Sequence, residues 1–173
     1  MADASLWIAI TSLLISSATA LVGLIISLIN HRREYDPMIA LDTFRINEES
    51  TDRAVRMRNV GRGSAHDVQI NIYDEQDVRY RAYPIDLIPS NEFKNLPGYL
   101  QSYPDNREFW MGELNNKNHT LYFHIIYKNE LGRKKQTYFV GEVIPEWYTK
   151  ISRRKFDRYR KENRKKSKDT AQS

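Results

Sequence analysis

The chain has no cysteine. That excludes a disulfide framework, a thiolate nucleophile and any zinc or iron–sulfur site built on Cys. Histidine is scarce too, with His31, His66, His119 and His124 the full set. A metal site needs convergent ligands, and the odd separation of His119 and His124 puts them on opposite faces of a regular strand. Ser64 follows Gly63, but no Gly-x-Ser-x-Gly elbow surrounds it. The glycines near residue 60 lack the Gly-Lys-Ser/Thr ending and the following helix of a phosphate-binding loop. The carboxylates Asp74, Glu75 and Asp77 gather at a turn, where solvated surface accounts for them. The expectation is a protein that is not an enzyme, with no metal, no cofactor and no small-molecule substrate.

The most informative absence is that of charge. Residues 6–29 run for 24 positions without Lys, Arg, Asp, Glu, His or Pro. As a helix, at ~1.5 Å per residue, they reach about 36 Å, enough to cross a hydrocarbon core of ~30 Å with some tilt. Met1 to Ser5 carry an acid and no base, whereas a cleavable signal peptide has a positive n-region and a shorter apolar stretch. Ser17-Ala18-Thr19-Ala20 has the form of a cleavage site, but nine mostly apolar residues follow it. The reading is an uncleaved single-pass transmembrane helix over 6–30, after a short N-terminus at 1–5. His31-Arg32-Arg33 lies immediately behind it. Positive charge is retained on the cytoplasmic side, so the N-terminus is expected outside and the rest of the chain inside. Ser12, Ser16, Ala20, Gly23 and Ser27 form a stripe of small residues at spacings of four, four, three and four. Such stripes let helices approach closely in lipid.

The net charge of +5 is an average of two unlike parts. Residues 150–173 hold eleven basic and three acidic residues, net +8, while residues 1–149 hold 16 basic and 19 acidic, net −3. A pI near 9.3 therefore does not describe the folded part.

After a juxtamembrane linker at 31–37, ending in Asp36-Pro37, the hydrophobic pattern changes to period two. Arg56 and Arg58 alternate with Val55 and Met57, and Gln69 and Asn71 with Val68, Ile70 and Ile72. Strands are expected there and over 38–46, 108–113, 120–127 and 136–143, with no amphipathic helix before residue 145. The predicted fold is mainly β: an antiparallel β-sandwich over 38–145. Within it, 79–107 reads as irregular, with Pro84, Pro89, Pro97 and Pro104 among Tyr80, Tyr83, Tyr99 and Tyr103. Long connections of this kind are often functional, and the four tyrosines are the expected partner surface.

Arg58-Asn59-Val60-Gly61-Arg62-Gly63-Ser64-Ala65-His66-Asp67-Val68 resembles the N-x-G-x-G-x-A-x-x-V signature of small Ig-like modules, the CARDB-like group among them, found in bacterial and archaeal membrane-associated proteins. Tyr127-Lys128-Asn129-Glu130-Leu131-Gly132-Arg133 is similar to the Tyr-x-(Asp/Asn)-x-x-Gly-Arg hairpin of single-span prokaryotic proteins with such modules. The resemblance covers residues 38–143 and implies an Ig-like sandwich of mostly unassigned role in a prokaryotic inner membrane. Independently of it, Asn59 can bond neighbouring backbone, Gly61 and Gly63 permit conformations other residues resist, and Ala65 fits where a larger side chain would clash. These four are expected to serve the turn.

Residues 146–173 read as a basic tail that can begin a helix at Pro145. Trp147, Tyr148, Ile151, Phe156 and Tyr159 lie among Lys150, Arg153, Arg154, Lys155, Arg158, Arg160, Lys161, Arg164, Lys165, Lys166 and Lys168. Three readings stand: contact with anionic lipid, contact with nucleic acid, or a solvated tail. The expected function is a non-catalytic scaffold at the cytoplasmic face. It would recruit another membrane or membrane-proximal protein, or a second copy, or act as a subunit of a membrane complex. The alternatives are an exported envelope or adhesion module and a membrane-tethered nucleic-acid binder.

Overall fold

The structure is a computed structural model that describes residues 2–45, 53–96, 99–103, 108–110, 120–142 and 147–171. Two units are distinct, Met1–Tyr35 and Asp36–Ser173. The first is one helix, α1 (Ala2–Glu34). Its stretch Leu6–His31 has a mean hydropathy of 2.2, so α1 is long and apolar enough to cross a membrane. Its side chains from Leu6 to Ile29 are exposed. The hydroxyls of Thr11, Ser17 and Thr19 donate to the carbonyls of Trp7, Leu13 and Ile15, four residues back. Those polar groups are satisfied within the helix.

Among the described residues, the second unit comprises eleven strands and one helix. The strands are β1 (Ile39–Arg45), β2 (Arg53–Asn59), β3 (Ala65–Tyr73), β4 (Arg79–Ala82), β5 (Ile85–Ile88), β6 (Phe93–Asn95), β7 (Tyr99–Tyr103), β8 (Glu108–Trp110), β9 (Thr120–Lys128), β10 (Lys134–Glu142) and β11 (Trp147–Ile151). The helix, α2, spans Arg153–Ala171. The strands form two antiparallel sheets. The smaller has the order β1-β2-β6, and the larger β11-β10-β9-β3-β4-β7-β8, with β5 paired to β3.

Strict alternation along the central strands decides what each face meets. On one face of the larger sheet, Ile70, Ile72, Leu121, Phe123, Ile125 and Phe139 share a core with Ile39, Val55, Met57 and Leu96 of the smaller sheet and its flank. On the other face, Tyr73, Tyr122, Tyr138 and Val140 pack with Ile151 and with Phe156 of α2. The larger sheet is thus covered on both sides, by strands on one and by a helix on the other.

Three expectations are corrected. Residues 79–103 are not an irregular connection, because β4, β5, β6 and β7 lie there. They are three to five residues long, too short to display a period, and Pro84 and Pro89 fall between them. The sheet also does not end at residue 145. β11 pairs with β10 from Tyr138↔Ile151 to Glu142↔Trp147, so Trp147, Tyr148 and Ile151 belong to a strand. Helix α2 accordingly starts later than Pro145: Ser152 accepts the Lys155 N–H on its hydroxyl and the Phe156 N–H on its carbonyl, capping the first turn.

Candidate functional site

The turn between β2 and β3 carries the chain from the smaller sheet to the larger. Asn59 organises it from a fully buried position. Its Oδ1 accepts the N–H of Met38 and of Gly61, both at 3.1 Å. Its Nδ2 donates to the carbonyls of Gly63 at 2.7 Å and Ile88 at 3.1 Å. One side chain therefore ties the start of β1, the turn and the end of β5. A Cβ on Gly61 would collide with the backbone of Asp36, Pro37 and Met38, so glycine here is a matter of space. Gly63 is buried and Ala65 has no exposure. All four residues act inside the fold.

The neighbouring hairpin anchors the same end of the domain. Asn129 receives the N–H of Leu131 and Arg133 on its Oδ1 and donates to Asp36, and Gly132 takes a φ of 72°. Lys135 pairs with Asp36 at 3.0 Å. The Asn59 turn and this hairpin thus grip Asp36 to Met38, where the chain enters the domain.

At the other end of β3, the loop to β4 is held by Asp74. Its carboxylate accepts the N–H of Gln76 and Val78 and, at 3.1 Å, the Tyr80 hydroxyl. The loop presents Asp77 at a φ of 60°, with its side chain 6% exposed. Arg160 of α2 binds both carboxylate oxygens, Nε to Oδ1 at 2.5 Å and Nη2 to Oδ2 at 3.1 Å, and Arg164 adds a further contact. Burial alone would push the Asp77 carboxyl up, but hydrogen bonds and charge from the two arginines outweigh it and hold it below its ordinary value. The Arg160 guanidinium also lies 3.8 Å from the centre of the Tyr73 ring, a cation–π contact.

Phe156 makes the apolar half of the joint. It is 2% exposed, with its ring 4.9 Å from Tyr138 and 5.8 Å from Tyr73, while Tyr159 meets Tyr122 at 5.6 Å. His124 stacks on Tyr138 at 4.7 Å and hydrogen-bonds Gln136 at 3.1 Å. Its burial, aided by the nearby positive charges of Arg160, Arg79 and Lys134, depresses its pKa despite the Gln136 bond. α2 is therefore a docked element of the domain, which corrects the reading of a solvated tail.

Docking divides the nine expected contact residues. Arg160 and Arg164 are turned to Asp77, Arg153 pairs with Asp157, and Lys155 lies over Tyr159. Arg154, Arg158, Lys161 and Lys165 are exposed, and spacings of four, three and four align them on the face opposite Phe156 and Asn163. Among the described residues, none of the four has an ion-pair partner. Lys166 is exposed beside this row.

The expected tyrosine surface loses one of its four members, Tyr80. Tyr80 is 7% exposed and sits in the core, because β4 turns it inward onto Asp74. Tyr83 is 53% exposed. Tyr99 and Tyr103 lie on the backbone of β7, paired with Trp110 and Arg79, and their side chains are outside the described residues. Ser12, Ser16, Ala20, Gly23 and Ser27 are all exposed on α1. His119 and residues 111–113 fall outside the described residues. Among the described residues, no three His, Asp or Glu side chains are placed to hold one metal ion.

Sequence reasoning missed Asp74, Asp77, Tyr73, Tyr122 and Tyr138. The signal for the last three was present. Phe156, Tyr159 and Asn163 share one face of a helix otherwise rich in charge, and such a face needs an apolar seat. Against family models, curated proteins and solved structures alike, the chain shows no match.

Proposed function

We propose that the protein is a non-catalytic interaction module held at a membrane by α1, with an Ig-like domain on the cytoplasmic side that presents α2 to a partner. The observation that carries this reading is the docking of α2. The contacts of Phe156 and Arg160 turn a segment of high positive charge into a surface of fixed geometry. A fixed, exposed, single-sign face is what recognition of an oppositely charged partner requires. Two antiparallel sheets sharing one core, with the Asn59 turn crossing between them, support the Ig-like assignment. The basic residues behind the span support the cytoplasmic orientation. The small-residue stripe on α1 supports a further association within the membrane, with another span or a second copy.

The absence of native cysteine makes the orientation directly testable. Single cysteines are introduced as Ser5→Cys and Leu131→Cys, the latter on a hairpin residue that is 51% exposed. An impermeant maleimide applied to intact spheroplasts should label Ser5→Cys and spare Leu131→Cys until the membrane is opened. Labelling of Leu131→Cys in intact spheroplasts would overturn the cytoplasmic placement and favour the exported envelope module.

A further inference from the structure

We infer that the outward face of α2 binds the phosphate backbone of a nucleic acid, through Arg154, Arg158, Lys161 and Lys165. This gives the interaction module proposed above a partner chemistry and rests on that reading. The four cations lie along about 16 Å of helix, at the ~1.5 Å rise of successive residues. All four are exposed, and among the described residues none is neutralised by an acid. Lys168 continues the same register in sequence. The acids of α2 do not interrupt the row: Asp157 is engaged by Arg153, and Glu162 and Asp169 fall to its side. A straight row of one sign matches a regular array of phosphates, whose neutralisation releases counterions. No aromatic residue shares the outward face, because Phe156 and Tyr159 are used against the sheet. Base stacking is therefore not available there, and binding is expected to be indifferent to sequence.

An anionic membrane is the rival polyanion, and one feature of the domain disfavours it. A helix that lies in a bilayer surface buries an apolar face in the lipid, and the apolar face of α2 is already buried against Tyr73, Tyr122 and Tyr138. The row also has a direction within the domain. The chain enters the domain at Asp36 to Met38, beside the start of β3. α2 runs toward the loop at the end of β3, where Arg160 and Arg164 reach Asp77. The nine residues of β3 separate those ends by about 26 Å. Within the domain, the cationic row thus leads away from Asp36 to Met38.

The test uses the full chain in nanodiscs of neutral phosphatidylcholine. Binding is measured by fluorescence anisotropy to a 30-base-pair DNA duplex and to an RNA duplex of the same length, and by co-flotation with phosphatidylglycerol vesicles. Four phosphate contacts predict a slope of log K on log salt near −3.6, about a hundredfold loss of affinity between 50 and 200 mM salt. The combined variant Arg154→Gln, Arg158→Gln, Lys161→Gln and Lys165→Gln should lose duplex binding while keeping its melting temperature. Should that variant fold poorly, the pair Arg158→Gln and Lys161→Gln should reduce the slope by about 1.8. A response to both duplexes assigns the face to nucleic acid in general, and a response to one identifies which. Binding to vesicles but to neither duplex overturns the inference, as does binding to none of the three, or duplex binding unchanged in both variants. These outcomes are independent of membrane orientation, so they are separable from failure of the labelling experiment.

Discussion

Arg160 grips both oxygens of Asp77 across 83 residues of chain while its guanidinium covers the Tyr73 ring at 3.8 Å. One side chain from the basic C-terminal segment is thereby fixed to a loop of the sheet by charge and to a strand by its flat face. Asp77→Asn removes the charge and leaves Arg160 facing a weaker acceptor. A charged hydrogen-bonded partner at a site of this burial contributes about 2 kcal/mol. The expected result is a lower denaturant midpoint and a larger deuterium uptake in α2. Asp77→Glu, which keeps the charge, should recover part of the loss.

Phe156→Ala tests the apolar half of the same joint. Removing a buried phenyl ring costs about 3 kcal/mol or more, and Phe156 is 2% exposed. The domain should lose stability, and near-ultraviolet circular dichroism should report the loss of order around Tyr73 and Tyr138. Lys165→Ala, on the opposite face of α2, should leave both signals within error.

Acid should loosen the joint in two windows. Because His124 has a folded pKa below its ordinary 6.5, the unfolded chain binds the proton first, and stability falls as pH drops below about 6.5 until the folded value is passed. Asp77 has a folded pKa below its ordinary 3.8. Its contribution is complete above that value and is lost as pH falls through the lowered one. Denaturation followed from pH 8 to pH 3 should show the first decline abolished by His124→Gln and the second reduced by Asp77→Asn, with Asp36, Asp67 and Glu130 carrying the remainder.

The turn predicts a different pattern. Asn59→Ala leaves two N–H groups and two carbonyls without the partner they have in the native protein, a loss of about 3 kcal/mol. Asn59→Asp keeps the two acceptor bonds but sets a carboxylate against the carbonyls of Gly63 and Ile88, so it should also destabilise. Gly61→Ala should fail for the separate reason that its methyl meets the backbone of Asp36 and Met38. Chemical denaturation of the three variants, alongside the neutral control Arg62→Ala, measures each.

What could be read in advance follows from how far each signal extends along the chain. The 24 uncharged residues at 6–29 declare a helix long and apolar enough to cross a membrane without any tertiary knowledge. β3, β9 and β10 are nine residues each, long enough for alternation to show which side chains face a core. The function of Asn59 as a turn residue was legible because its first partners, Gly61 and Gly63, are two and four residues away. β6, with three residues, carries too little pattern to be seen. Asp74 and Asp77 looked solvated because their burial depends on Tyr80, Arg160 and Arg164, the last two more than 80 residues distant. The same distance hid the docking of α2: charge dominates its sequence, while its seat is made by Tyr73, Tyr122 and Tyr138 on three strands.

An isolated helix of 19 residues with this charge would be marginal in water. The rigidity of the cationic face thus depends on the sheet beneath it. Amide hydrogen exchange across Phe156 to Arg164 in the full-length protein measures that dependence most directly. The account predicts slow exchange, approaching that of β9 and β10, with protection lost in Phe156→Ala and Asp77→Asn. Exchange at the rate of a free peptide in the native protein, unchanged by either substitution, would contradict it.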